Sequence, residues 1–417
     1  MKNSEYRIGT VTSNKIKLIS FFGTIALIFV HNESDINGEM TPSMIVSTSF
    51  GWSDVVQNFI LNGLLRFRLP FMMIISVFFM FYRPKHSYLL HIKSKFRTIG
   101  FPYLLISLSG LFITFLFETF FVPQNSVYAF SGMIGKKIID LSLTEFISYV
   151  IKSPIVFQLW YLRVLFIFVL FMPFIKYLIT KIPVLFLGTV LMVWLFTNRI
   201  GGGENDRGYL FFFFGAYLAI NKINTSKEFS FFSAKSSLAI FIILAVFKTF
   251  LTFYGSHLFG SYAHFSVSFL YKLNEIFGLY AVWFVFDSIL LRLMDQQLWM
   301  RITESSFFIY AFHAPLIVFI NKILKLSNNI FSTNAMLSFF LIPVMVLLIT
   351  LMLEDTIKRI SQKFYSLLTG GRSKAPPFNF DIGIIKLPQL SFTGKFVLVS
   401  SLGSFIIIAA GAMVFFK

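Results

Sequence analysis

Apolar runs close to membrane-spanning length recur from residue 17 to residue 416, separated by short polar breaks. A chain with that pattern has few solutions. Each run must satisfy its own backbone N–H and C=O groups inside the bilayer, and an α-helix does so within one segment. The runs fall at 17–31, 66–82, 98–122, 159–179, 184–197, 208–221, 236–254, 275–293, 305–324, 335–353 and 394–416. Several are shorter than the ~20 residues of a straight crossing, so flanking residues or tilt complete them. The expected fold is an all-α polytopic transmembrane helix bundle, with a ten-helix core and an eleventh, C-terminal span. Residues 1–363 read as the main transmembrane domain, 364–393 as a Gly/Pro-containing cytoplasmic linker, and 394–417 as the additional helix. Residues 53–65 and 143–157 read as amphipathic or interfacial stretches.

Composition agrees: 56% of residues are hydrophobic and 13% charged, against about 25% charged in soluble domains. In a soluble chain the net charge of +18 would point to nucleic acid. Here the cations gather in loops on one side. With the N-terminus inside, the connections at 83–97, 176–181, 222–235, 292–301 and 358–374 become cytoplasmic and carry most of the loop Lys and Arg, among them Arg97, Lys181, Lys235, Arg301 and Arg372. The opposite loops hold Asp140, Glu145, Glu204 and Asp206. The positive-inside rule selects this orientation, which leaves no nucleic-acid partner to invoke and puts His31 on the outer side. The first run has the basic lead-in of a signal peptide (Arg7, Lys15, Lys17), but no small-x-small site follows Val30, so it reads as a retained span. The sequence has no cysteine, which excludes disulfides, thiolate metal sites and an S-acyl-enzyme. No His/Asp/Glu spacing suggests a metal. Gly201-Gly202-Gly203 runs into Glu204 and Asp206 rather than into a phosphate-binding helix.

Five stretches carry a resemblance. The first run ends in His31, followed by Glu33 and Asp35. Arg66–Phe79 reads RFRLPFMMIISVFF, Lys93–Tyr103 reads KSKFRTIGFPY, Gln158–Leu162 reads QLWYL and Ser306–Leu316 reads SFFIYAFHAPL; Phe211–Leu218 (FFFFGAYL) is a shorter echo. In this order and spacing, over roughly residues 15–363, they resemble the integral-membrane acyltransferase family 3, bacterial enzymes that O-acylate cell-surface sugars. Two positions depart from the family's pattern. Ser20 stands where an arginine usually lies eleven residues before the histidine, and Val77 replaces the glycine of Ser-Gly-Phe.

The resemblance implies a membrane-bound O-acyltransferase of the bacterial cytoplasmic (inner) membrane with a cytoplasmic N-terminus. It would hold no permanent cofactor and use acyl-CoA, foremost acetyl-CoA, as co-substrate. Its acceptor would be an extracytoplasmic glycan or a lipid-linked saccharide, and its other partners the membrane lipids. His31 would be the general base, with Glu33 or Asp35 orienting its ring. By residue type alone a histidine marking the polar interface is the stronger reading, and the family resemblance reverses that order. Arg66, Arg68 and Arg163 would meet the donor's charge or the oxyanion. Lys17 and Ser20 lie within ~40° of the stripe of His31 on an ideal helix, so Lys17 is a further candidate cation. Arg66 and Arg68, two residues apart, diverge by ~200° on a helix and cannot both face one pocket, so one would line the cavity and the other reach the headgroups. Arg163 lies deep in its run, with Glu118 and Asp287 as candidate counter-ions, and a purely structural pair is the even alternative. Ser76, Trp160, Tyr161, Tyr310 and His313 would line or support the site, Pro315 freeing a carbonyl beside His313. Two other functional classes remain open: an exporter of polysaccharide or lipid-linked saccharide, whose buried charges line a path, and an inactive homologue.

Overall fold

The computed structural model describes residues 9–32, 42–47, 49–82, 87–121, 136–196, 208–226, 228, 233–327, 334–372 and 375–377. All regular structure among them is helical. The first helices are α1 (Thr10–His31), α2 (Trp52–Asn58), α3 (Arg68–Tyr82), α4 (Tyr88–Lys95), α5 (Phe101–Phe121) and α6 (Leu143–Ile151). Next come α7 (Trp160–Leu170), α8 (Met172–Lys181), α9 (Pro183–Phe196), α10 (Tyr209–Ile220), α11 (Ala234–Phe259) and α12 (Ala263–Phe284). The last are α13 (Asp287–Met294), α14 (Gln297–Ile302), α15 (Ser306–Ser327), α16 (Ala335–Ile360) and α17 (Gln362–Thr369). Single π-helical turns extend α2 (Phe59–Leu64) and join α4 to α5 (Phe96–Gly100).

Among the described residues six segments are long and apolar enough to cross a membrane: Thr10–His31, Trp52–Tyr82, Tyr88–Leu116, Ala234–Phe284, Gln297–Asn321 and Ala335–Ile360. A seventh results if α7 and α8, bent by 67° at their junction, form one span. Among the described residues these do not add up to the expected ten, because one segment holds two of the runs and two others form shorter helices. The α9 and α10 helices hold 14 and 12 residues, or ~21 and ~18 Å, against a hydrocarbon core ~30 Å thick. Residues 234–284 contain two of the expected runs, folded back on each other at Gly260, where φ is +51° and glycine alone is at ease. Ser237 near one end of this pair donates to the Phe277 carbonyl near the other, at 2.9 Å. The expected eleventh span, 394–416, and most of the 364–393 linker lie outside the described residues. The linker's first residues belong to α17.

The chain divides into two compact units, residues 1–91, 168–306 and 334–343 in the first, and 92–167, 307–333 and 344–417 in the second. In the first unit α3 packs on α10 at Gly215, where an added Cβ would stand 2.4 Å from the Ile74 carbonyl oxygen. The Phe211–Leu218 echo thus supplies the small residue for a close helix approach, while Val77 is fully buried in α3.

In the second unit the Tyr103 hydroxyl donates to the Ile151 carbonyl at 2.7 Å, tying α5 to α6. A capping box opens α6: Glu145 N–H donates to Ser142 Oγ, and Ser142 N–H donates back to the Glu145 carboxylate. In the same unit, Tyr365 on α17 donates to Glu354 at 2.7 Å. Glu354 also pairs with the buried Lys358 at 2.7 Å. Gly370 then ends α17 in the left-handed region with φ +62°, and a Cβ there would meet the Thr98 carbonyl oxygen at 2.6 Å. Only glycine serves this turn.

Candidate functional site

Two groups of side chains, one in each unit, hold the polar residues that the sequence singles out. In the first unit His31 is the last residue of α1 and is half-buried. Its neighbour Asn32 is buried and donates its amide to the carbonyls of Ser338 (3.0 Å) and Phe339 (3.4 Å). The Phe29 ring meets Phe339 edge-on, with centroids 5.6 Å apart. The C-terminal end of α1 is thereby fastened to the start of α16. Glu33 and Asp35 lie outside the described residues.

Further down α1, Lys17 is exposed, and Lys15 is the lysine turned inward. The Lys15 ammonium lies 2.5 Å from Asp287 and 4.2 Å above the Trp283 ring. Two residues apart on a helix means ~200° of rotation, so only one of the two can face inward. Ser20 is half-buried, and its carbonyl accepts from the Thr24 hydroxyl at 2.9 Å.

Arg68 opens α3, is buried, and donates to the Leu65 carbonyl at 2.6 Å. Residues 65–67 form a turn between the π-helical segment and α3. The divergence expected of Arg66 and Arg68 on an unbroken helix therefore does not apply. The two charges act on each other, with Glu275 acting on Arg68 from α12. Ser76 is half-buried in α3.

In the second unit the QLWYL and SFFIYAFHAPL segments interlock. Proline at 315 has no N–H, so the carbonyl four residues earlier, on Ala311, loses its helical donor. Gln158 replaces it, donating its amide at 2.9 Å. In return the Tyr310 hydroxyl donates to the Gln158 carbonyl. The Tyr161 and Tyr310 rings meet edge-on with centroids 6.0 Å apart, and Trp160 abuts Tyr161 at 6.1 Å. His313 is fully buried, with Nδ1 3.0 and 2.9 Å from the carbonyls of Ile309 and Tyr310. Carbonyls only accept, so Nδ1 carries the proton and Nε2 is the basic nitrogen of the neutral ring.

The carbonyl account makes a prediction. Gln158→Leu should destabilise the protein by ~1–3 kcal/mol, the penalty of a bare buried carbonyl. In a Pro315→Ala background, where the restored N–H can serve Ala311, most of that loss should vanish. A double-mutant cycle on unfolding midpoints checks it, and additive effects would contradict it.

Arg163 is half-buried on α7, close enough for its charge to act on Tyr103. The carboxylates proposed as its partners are engaged elsewhere: Glu118 accepts from the Ile138 N–H at 2.7 Å, and Asp287 holds Lys15.

The sequence counts Arg372 among the cytoplasmic loop cations and gives it no further part. Arg372, just after α17, donates to the Thr369 carbonyl at 2.8 Å, stacks 4.0 Å above the Phe307 ring, and acts electrostatically on Tyr161 and Tyr310. The signal was present: Gly370-Gly371 after an amphipathic stretch is a helix C-terminus with a basic residue beside it.

The sequence profile of the acyltransferase domain of acyltransferase family 3 matches residues 16–354. The chain belongs to acyltransferase family 3. No curated protein and no solved structure matches it significantly. The family match takes in His31, Arg66, Arg68, the Gln158–Tyr310 interlock and His313. It ends at Glu354 within α16, so Arg372 lies beyond the family's domain. As a member of this family the chain is an acyltransferase, and its apolar helices make it a multi-pass membrane protein.

Proposed function

We propose that this acyltransferase moves an acyl group, foremost acetyl, from acyl-CoA to a hydroxyl of an extracytoplasmic or lipid-linked glycan, with His31 as general base. The family match carries the reading. The fastening of α1 beside His31 by Asn32 supports it, since a base must be held still against the proton that it takes. The imidazole removes the proton of the attacking hydroxyl as its oxygen bonds to the thioester carbonyl. The tetrahedral oxyanion collapses, the C–S bond breaks, and the imidazolium returns its proton to the departing CoA thiolate. Glu33 or Asp35 orients the ring. Arg66 or Arg68 binds the donor's charge or the oxyanion, with Lys17 as a further candidate cation. Ser76 shapes or supports the site. The protein sits in the bacterial cytoplasmic membrane with its N-terminus inside, meets acyl-CoA from that side, and needs no permanent cofactor.

An exporter is the competing reading, favoured by the buried charges Lys15, Arg68 and Lys248. Comparing surface-glycan O-acylation and surface-glycan amount in wild-type and deletion cells separates the two. Loss of acylation with glycan retained is the expected result. Loss of the glycan itself, with acylation of the remaining pool unchanged, would favour export. No change in either would point to an inactive homologue.

A further inference from the structure

One buried polar group of the first unit has no part in the reaction just described. Lys248, midway along α11, has no exposed surface, and its ammonium donates to a single neutral partner, Asn58 Oδ1, at 3.1 Å. No carboxylate pairs with it among the described residues. Asn58 is also fully buried. With Oδ1 turned to the lysine, its Nδ2 has no acceptor among those residues. The same is true of the buried amide nitrogen of Gln57, next along α2, and of Arg68 Nε. The charge balance adds to the imbalance of donors. Arg66 acts on both Lys248 and Arg68, and Glu275 is the carboxylate that acts on Arg68.

A buried ammonium with only an amide for company is expensive, and a membrane domain makes it more so. Unmatched donors beside an ammonium and an arginine call for a ligand that only accepts hydrogen bonds and carries negative charge. The backbone is built for it. Directly after Asn58 the helix widens into its π-helical turn, Phe59–Leu64, a distortion that recurs at functional sites. That turn is held by Asn274, which donates to the Gly63 carbonyl at 2.7 Å, and by close packing of Gly63 on Ala245, one turn before Lys248.

We infer that Lys248 and Asn58 form a binding position for a phosphate group, next to the Arg66–Arg68 pair. The phosphate has two sources compatible with the proposed reaction: the nucleotide end of acyl-CoA, or the diphosphate of a lipid-linked saccharide. The inference rests on that reading only for these two names.

The test uses the full chain in phosphatidylcholine nanodiscs, with CoA and a polyprenyl diphosphate as separate probes. Dissociation constants and thermal midpoints are measured for wild type, Lys248→Met and Asn58→Asp. At least one probe is expected to bind wild type and to bind Lys248→Met ~10-fold or more weakly, the loss of one charge-assisted contact. Without ligand, the Lys248→Met midpoint should equal or exceed that of wild type, because a buried unmatched charge has gone. Asn58→Asp guards against misfolding of that variant: its carboxylate neutralises the ammonium in place and should likewise weaken binding ~10-fold while the fold is kept. Unchanged affinity in both variants, or no binding of either probe to wild type, would overturn the inference. CoA binding that is equal in wild type and variants sinks this site but leaves the acyl-CoA reading standing. Lysine-dependent binding of the polyprenyl diphosphate alone upholds the site and counts against acyl-CoA.

Discussion

His31→Ala should lower acyl transfer by ~10²–10⁴-fold, the usual contribution of a positioned general base, while the protein remains folded in the membrane. The two outcomes separate because α1 keeps its anchor. Asn32 holds the helix end to the Ser338 and Phe339 carbonyls, and that contact survives loss of the imidazole. The assay is transfer of a labelled acetyl group to the acceptor in membrane vesicles, at matched protein levels and with matched thermal midpoints. Full activity in a well-folded His31→Ala protein would dismiss the mechanism while leaving the family assignment intact. A variant that loses activity together with its thermal midpoint would show that the histidine matters for the fold instead.

The largest structural effect is expected at Gly215. Even a single carbon there meets the Ile74 carbonyl oxygen at 2.4 Å and the Ile74 Cα at 2.9 Å, both backbone atoms that cannot rotate aside. Gly215→Val must push α10 off α3 along their shared face. Overpacking of this kind costs ~1–3 kcal/mol where side chains can yield; against backbone the loss should exceed that range. The expected readout is little or no monodisperse protein on extraction from the membrane. Gly188→Val is the control, since nothing lies within 4 Å of its added Cβ. Near-wild-type yield of Gly215→Val would mean that α3 and α10 can separate cheaply.

The sequence revealed what hydropathy and proline can announce. The apolar runs showed where long helices lie, and Pro315 announced a freed carbonyl whose partner proved to be Gln158, in another of the landmark segments. What stayed hidden depends on which way a helix faces. Lys17 shares a stripe with His31 on a helical wheel, but a wheel carries no inward direction, and Lys15 is the buried lysine. The helix-angle argument for Arg66 and Arg68 failed because the chain turns at residues 65–67, and a π-helical turn followed by a break leaves no mark in hydropathy. The ten expected spans are not confirmed: among the described residues α9 and α10 are as apolar as the long helices but hold 14 and 12 residues. Arg372 was read only as a loop cation because Gly and Pro nearby suggested a linker, although Gly370 and Gly371 serve there as a helix stop.

The bond from Asn32 reaches a residue 306 positions further along the chain. During synthesis α1 is made before α16 and carries the proposed base with it, and the carbonyls that fasten it follow only with α16. At ~5–20 residues per second the interval is ~15–60 s. A chain not yet extended to α16 therefore carries the histidine without its anchor, and the catalyst comes into being only once that helix is made.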